Sequence, residues 1–315
     1  MRILAIDGGG IRGLIPALVL AEVEQRTGRA IADCFDLIAG TSTGGILACA
    51  LTRPGPDGSL YTAEQLTGLY ESEGPKIFHR SLLKRIESLD GNIDERYDDA
   101  GLNAALRDYL GDERISRART DILVTAYDIE RRAAWFFRSS AARTDPTREF
   151  TMADAARATS AAPTYFEPAL VRPVGGGEPS ALVDGGVFAV NPAMCALAEV
   201  AHAGRRDEIE LLASLGTGSH TRPLRYADVR GWGRLEWAAP IIDVVFDGVA
   251  DTTEFELAQL LEPAAYVRLQ TELKVASDNL DDASAGNLRN LRLEAERLLR
   301  ERSADVDRLV AALSA

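Results

Sequence analysis

The chain has 315 residues, 46% of them hydrophobic and 26% charged, which suits a globular protein long enough to bury a large core. Its 35 Lys and Arg against 48 Asp and Glu give a formal charge of −13. With no Lys/Arg block interleaved with aromatics, that balance excludes a nucleic-acid polymer as the main partner and argues against docking on anionic lipid, while leaving neutral lipid open.

Cys34, Cys49 and Cys195 lack paired spacing and sit in apolar runs, so reduced, buried thiols are expected. The opening run from Met1 to Ile6 reaches Asp7 and a glycine cluster with no signal-peptide pattern. No stretch approaches the roughly 18 apolar residues of a membrane span. The expectation is a soluble, cytoplasmic protein.

In chain order, residues 2–6 read as an apolar strand, 7–13 as a glycine turn and 14–25 as a helix, with Leu14, Leu18, Val19 and Val23 at helical spacing. Residues 34–39 read as a second buried strand. A glycine-flanked turn at Ser42 follows, then an apolar helix over 45–51. Residues 54–58 form a loop. Residues 62–72 and 98–110 read as amphipathic helices, with a polar connection around 88–94. Residues 122–127 and 134–138 are expected as strands, 151–160 as a helix of small residues and 181–183 as a short strand before Asp184. A helix over 192–201 would carry Pro192 at its first position. Residues 209–215 read as a buried strand ending in Gly216-Thr217-Gly218, and 266–270 as a late strand. The tail is helical, with one stripe of Leu288, Leu291, Ala295 and Leu298 and another of Val306, Leu309, Val310 and Leu313.

Strands alternating with helices predict an α/β fold: a three-layer α/β/α sandwich around a mainly parallel sheet. The Pro- and Gly-rich stretch 172–180 is too short to divide the chain. One domain over 1–315 is expected, with a motif-bearing part to about 220 and a mostly helical part over 221–315.

Gly40-Thr41-Ser42-Thr43-Gly44 fits the G-x-S-x-G nucleophile elbow, with an apolar strand before it and an apolar helix after it. Gly40 and Gly44 permit the tight turn that lifts the Ser42 hydroxyl clear of the backbone. The helix aims backbone N–H groups at the site. The competing reading is a chance glycine-rich turn.

Asp7-Gly8-Gly9-Gly10-Ile11-Arg12-Gly13 follows the first strand and opens a helix. Successive N–H groups there can converge on a developing oxyanion. Gly8, Gly10 and Gly13 also match the dinucleotide fingerprint G-x-G-x-x-G. That fingerprint wants an acid at the end of the next strand, where this chain has Ala39-Gly40-Thr41-Ser42. A P-loop is excluded because no Gly-Lys-Ser/Thr follows. Asp184-Gly185-Gly186 ends the apolar run 181–183. By itself it reads as a turn. Beside the other two motifs it offers a carboxylate at the sheet's rim.

These three motifs together resemble the patatin-like phospholipase family, which pairs an Asp-Gly-Gly-Gly-x-Arg/Lys-Gly loop with a Gly-x-Ser-x-Gly elbow and a later Asp-Gly-Gly/Ala. Further stretches are similar to that family: 35–40, 158–163, Asn191-Pro192 and 214–218. The resemblance spans about residues 1–220. It implies a catalytic dyad of Ser42 as nucleophile and Asp184 as general base, with no histidine between them. It also implies an oxyanion hole from the backbone of Gly8, Gly9 and Gly10, with Arg12 holding that loop or steadying substrate charge. A lipid or phospholipid substrate, transient contact with a membrane surface and no cofactor are implied too. Some bacterial members are defence effectors switched on by a cyclic nucleotide, which stays an alternative.

The histidines are His79, His202 and His220. Ser42, Asp184 and His220 follow the α/β-hydrolase triad order, so a Ser–Asp–His triad is a rival to the dyad. No metal-ligand spacing occurs, and no metal is expected. Asp243, Asp247 and Asp251, four apart, read as a solvated helix face. Trp232 and Trp237 read as core aromatics, with an interfacial patch as the alternative. The reading is a lipid acyl ester hydrolase of phospholipase A or lysophospholipase type. The alternatives are a soluble esterase, thioesterase or acyltransferase with the same dyad, and a nucleotide-binding module using the Gly8–Gly13 loop.

Overall fold

The computed structural model describes residues 1–56, 58–78, 97, 99–219, 223–237 and 240–314. In chain order the strands of its main sheet are β1 (Arg2–Ile6), β2 (Leu37–Gly40), β3 (Asp121–Asp128), β4 (Ala133–Arg138), β5 (Ala169–Val171), β6 (Ser180–Asp184), β7 (Leu211–Leu215) and β8 (Tyr266–Leu269). The longer helices are α1 (Leu14–Thr27), α2 (Thr43–Thr52), α3 (Asp99–Leu110), α4 (Met152–Thr159), α5 (Ala193–His202), α6 (Pro240–Leu260), α7 (Ala285–Glu301) and α8 (Ser303–Ser314).

The eight-stranded sheet runs β8-β7-β1-β2-β3-β6-β5, with β4 on the other edge of β3. From β8 to β3 the strands are parallel. The others are antiparallel. The fold is therefore a mainly parallel α/β/α sandwich, as the alternating pattern predicts.

Alternate residues of β1 feed the two faces. Leu4 and Ile6 join a large core with α1, α2, α4, α7 and α8. Ile3 and Ala5 join a smaller one with Ala193, Ala196, Leu197 and Val200 of α5 and Leu257 of α6. Burial on both faces explains why the strand reads as an unbroken apolar run. Both predicted tail stripes enter the large core: Leu291, Ala295 and Leu298 from α7, and Val306, Leu309 and Leu313 from α8.

One register detail positions the site. β2 pairs with the first half of β3 and stops with Gly40 opposite Val124. β6 arrives from the opposite direction and stops with Asp184 opposite Ala126. Because β4 occupies the far edge of β3, β2 and β6 share one edge and their C-terminal ends meet around Thr125.

Several elements differ from the sequence reading. Ile31–Cys34 is a helical turn, and β2 begins only at Leu37. The Glu24 carboxylate accepts the Ile31 N–H at 3.0 Å and turns the chain there. Residues 62–72 split into a helix over Ala63–Gly68, closed at its start by a Thr62–Gln65 capping box, and a wider π turn over Leu69–Glu73. Pro192 caps α5 from outside instead of starting it. The polar connection at 88–94 lies outside the described residues. Trp232 and Trp237 are half-buried, stack edge-to-face at 5.2 Å and join neither core. Cys34, Cys49 and Cys195 are free thiols, the first two buried and the third half-buried.

Candidate active site

Ser42 lies between β2 and α2 with φ 54° and ψ −123°, a backbone state that costs a non-glycine residue about 1–3 kcal/mol. The turn is possible because its flanks are glycines. A Cβ on Gly44 would run into the Ile6 carbonyl, and one on Gly40 into the Gly44 carbonyl. Side chains hold the turn from both sides. Thr159 at the end of α4 accepts the Ser42 N–H on its Oγ1 at 2.8 Å. Thr41 Oγ1 donates to the Ala189 carbonyl at 2.6 Å and lies 2.7 Å from Thr125 Oγ1. Thr43 Oγ1 and the Tyr70 hydroxyl are 2.6 Å apart.

Asp184 ends β6 and is 1% exposed. Its N–H donates to the Ala161 carbonyl at 3.0 Å. Its Oδ1 accepts the Gly186 N–H at 2.7 Å, and the Ser42 hydroxyl favours the ionised carboxylate. Burial dominates its titration and outweighs the opposing influence of Ser42 and the Gly186 N–H, so its pKa is pushed up to about 7.

The glycine loop runs beside Ser42 on the β1 side. Its conformation is fixed by groups distant in sequence. Gly8 donates its N–H to the Val190 carbonyl at 2.9 Å and accepts from Thr217 Oγ1 at 2.7 Å. Ile11 donates to the Leu280 carbonyl at 2.9 Å. Gly10 has φ +57° and packs against that same carbonyl, leaving no room for a side chain. Arg12 is 5% exposed. Its Nε contacts the Gly9 carbonyl at 3.4 Å. Burial lowers the Arg12 pKa to about 10, against the fields of Asp247 and Asp243.

These bonds narrow the expected set of oxyanion donors. The Gly8 N–H is taken by Val190, so in this state it has no proton to offer a substrate. The N–H groups of Gly9 and Gly10 make no hydrogen bond among the described residues.

Gly8, Gly9, Gly10, Ser42 and Asp184 line one cavity that opens to solvent. Its remaining walls are mostly apolar, with Ile46, Leu69, Ile77, Phe78, Leu102, Phe166 and Phe246 among them. Such a cavity suits an acyl chain.

Behind the loop, Arg268 of β8 forks onto Asp7, with Nη1–Oδ1 at 3.0 Å and Nη2–Oδ2 at 2.7 Å. Sequence reasoning missed Arg268, Val190 and Leu280, because nothing local marks them. Thr159 and Thr217 lie inside stretches singled out as family-like, so their position was visible but not their role.

His79 and His220 lie outside the described residues, and His202 is exposed at the end of α5. Asp243, Asp247 and Asp251 are exposed on α6. Among the described residues no group of three or more His, Cys, Asp or Glu is placed to hold a metal ion. Among them, too, no helix is long and apolar enough to cross a membrane.

A serine on a strained strand-to-helix turn over a mainly parallel sheet is the arrangement of α/β folds that carry out acyl transfer. The chain belongs to the patatin-like phospholipase family, whose description matches residues 4–197. It is 35% identical to patatin-like protein 2 of Arabidopsis thaliana, over 98% of this chain and 84% of that protein. It is 32% identical to patatin-like protein 2 of Oryza sativa subsp. indica, over 98% and 85%. It is also 30% identical, over 96% and 87%, to a Solanum tuberosum protein named "Probable inactive patatin-3-Kuras 1". At the level of the family, membership supports lipid acyl hydrolysis.

Proposed function

We propose that this protein is a serine lipid acyl hydrolase that cleaves glycerophospholipid esters, of phospholipase A or lysophospholipase type, through Ser42 and Asp184. The observation that carries this reading is that Ser42, on its strained turn, and the buried Asp184 line one apolar cavity. The Ser42 hydroxyl attacks the ester carbonyl as Asp184 takes its proton. The N–H groups of Gly9 and Gly10 receive the oxyanion, with Gly8 and Arg12 holding the loop in shape. Asp184, now neutral, gives the proton to the departing alcohol. It then draws a proton from the water that releases the fatty acid. A carboxylate titrating near 7 is matched to both halves of that cycle.

Access to lipid is part of the same reading. Ile241, Val244 and Val245 are exposed on the first turns of α6, close to Phe246 in the cavity wall. They support transient contact with a membrane surface. The acidic Asp243, Asp247 and Asp251 between them favour zwitterionic over anionic lipid. We also take the whole chain, 1–315, as one working domain, because α7 and α8 share a core with α1.

The test is release of fatty acid from phosphatidylcholine vesicles by the wild type, Ser42→Ala and Asp184→Asn. Both variants should lose more than about 1,000-fold in activity. Retained activity in Asp184→Asn with loss in Ser42→Ala would leave the serine but require another base. Activity confined to short, soluble esters would turn the reading to an esterase.

A further inference from the structure

Eight described residues carry a buried polar side-chain atom with no hydrogen-bond partner, and of these Ser160 alone lines the Ser42 cavity. Ser160 is 7% exposed. An orphaned hydroxyl of this kind is costly, and native structures keep one where a ligand or water completes it.

Its placement is fixed by its two neighbours. Thr159 accepts the N–H of Ser42 at 2.8 Å, and Ala161 accepts the N–H of Asp184 at 3.0 Å. Ser160 is therefore pinned between the two proposed reacting groups by their own backbones. The glycine loop leaves β1, on one side of β2. Asp184 leaves β6 on the other side, toward β3, and the Asp184–Ala161 hydrogen bond holds Ser160 beside it. An ester attacked by Ser42 with its carbonyl oxygen in the glycine loop turns its alkoxy oxygen toward Asp184, because that group must receive the proton. This is the side Ser160 occupies.

We propose that the Ser160 hydroxyl donates a hydrogen bond to the alkoxy oxygen of the ester, so that it favours substrates with a poor alcohol leaving group. The proposal rests on the Ser42–Asp184 reading. In the tetrahedral intermediate the bond from Ser42 Oγ to carbon is formed and the carbon–alkoxy bond is breaking. Negative charge gathers on the leaving oxygen until the Asp184 carboxylic acid protonates it. Ser160 steadies that charge and keeps its own proton, so no further reactant is needed. Glyceryl esters need this help, whereas a nitrophenolate leaves without it.

The experiment compares kcat/KM of wild type, Ser160→Ala and Ser42→Ala on two butanoate esters with one acyl group, the glyceryl ester and the p-nitrophenyl ester. For Ser160→Ala the glyceryl rate should fall about 10- to 100-fold and the p-nitrophenyl rate less than about 3-fold. The pH profile on the nitrophenyl ester should keep its inflection near 7, which a residue acting only by positioning Asp184 would move. Equal losses on both esters, or none on either, would overturn the proposal. Should Ser160→Ala fail to fold, Ser160→Cys, of similar size and a weak donor, must show the same selective loss. Activity retained by Ser42→Ala would instead overturn the underlying dyad.

Discussion

Arg268 grips Asp7 with both guanidinium nitrogens, at 3.0 and 2.7 Å, and both residues are buried. Asp7 opens the glycine loop; Arg268 belongs to β8, 261 residues later. Burial works against the Arg268 charge, but the facing carboxylate outweighs it and the guanidinium is held above its ordinary pKa. The chain thus fixes the N-terminal loop from its C-terminal third. Replacing Arg268 with Met leaves an uncompensated carboxylate, at a cost of about 3–5 kcal/mol. Urea unfolding should show that loss. Asp7→Asn with Arg268→Met should recover part of it, and full recovery of activity is not expected because the loop loses its anchor. An unchanged unfolding midpoint in the single variant would contradict this account.

The pH dependence of activity follows from Asp184. In the proposed mechanism Asp184 must be ionised to accept the Ser42 proton, and burial places its pKa at about 7. On a soluble ester, log kcat/KM should rise with a slope near one up to about pH 7 and level off above it. A profile flat from pH 5 to 8 would contradict the assignment of Asp184 as base.

The same carboxylate has a stability signature of the opposite sign from an ordinary paired aspartate. Unfolded, it titrates near 3.8; folded, near 7. Between those values the folded state holds the extra proton, so stability declines as pH rises through the window. Asp184→Asn removes the buried charge. It should be more stable than wild type above pH 7, by on the order of 2–4 kcal/mol, and indistinguishable below about pH 4. Melting temperatures at pH 5 and pH 8 decide it.

Thr125 joins the two strand ends. Its hydroxyl lies 2.7 Å from Thr41 Oγ1, and Gly185 packs so closely on it that a Cβ there would clash. Thr125→Val keeps the shape and removes the hydrogen bond. A stability loss of about 1–2 kcal/mol is expected. A larger loss is expected in kcat than in KM, since the Ser42–Asp184 distance depends on this seam. A change in KM alone would point to the cavity instead.

Gly10 tests how far the loop depends on the C-terminal part. At φ +57° it lies against the Leu280 carbonyl. Gly10→Ala meets backbone, which no rotamer change relieves, so the loop must move off Leu280. Activity should drop by more than about 100-fold through loss of a proposed oxyanion donor. Far-ultraviolet circular dichroism should remain that of the wild type.

Periodicity and glycine chemistry encode much of the fold locally. Buried β1 is apolar from Ile3 to Ile6, and β7 is apolar but for Ser214. The elbow around Ser42 needs Gly40 and Gly44, and the tail stripes of α7 and α8 are visible at helical spacing. These signals suffice for the fold class, and with Asp184-Gly185-Gly186 for a candidate site. The strand reading of 34–39 starts before the observed Leu37–Gly40 because so short a run carries no period that separates strand from turn. Which groups meet is set by the folded chain. β2 and β6 converge on one edge of β3, which brings Ser42 to Asp184 across 142 positions of chain. Val190 claims the Gly8 N–H, and the buried Ser160 hydroxyl has no partner among the described residues. Burial, hydrogen-bond competition and strand register are properties of the folded whole, so no local pattern records them.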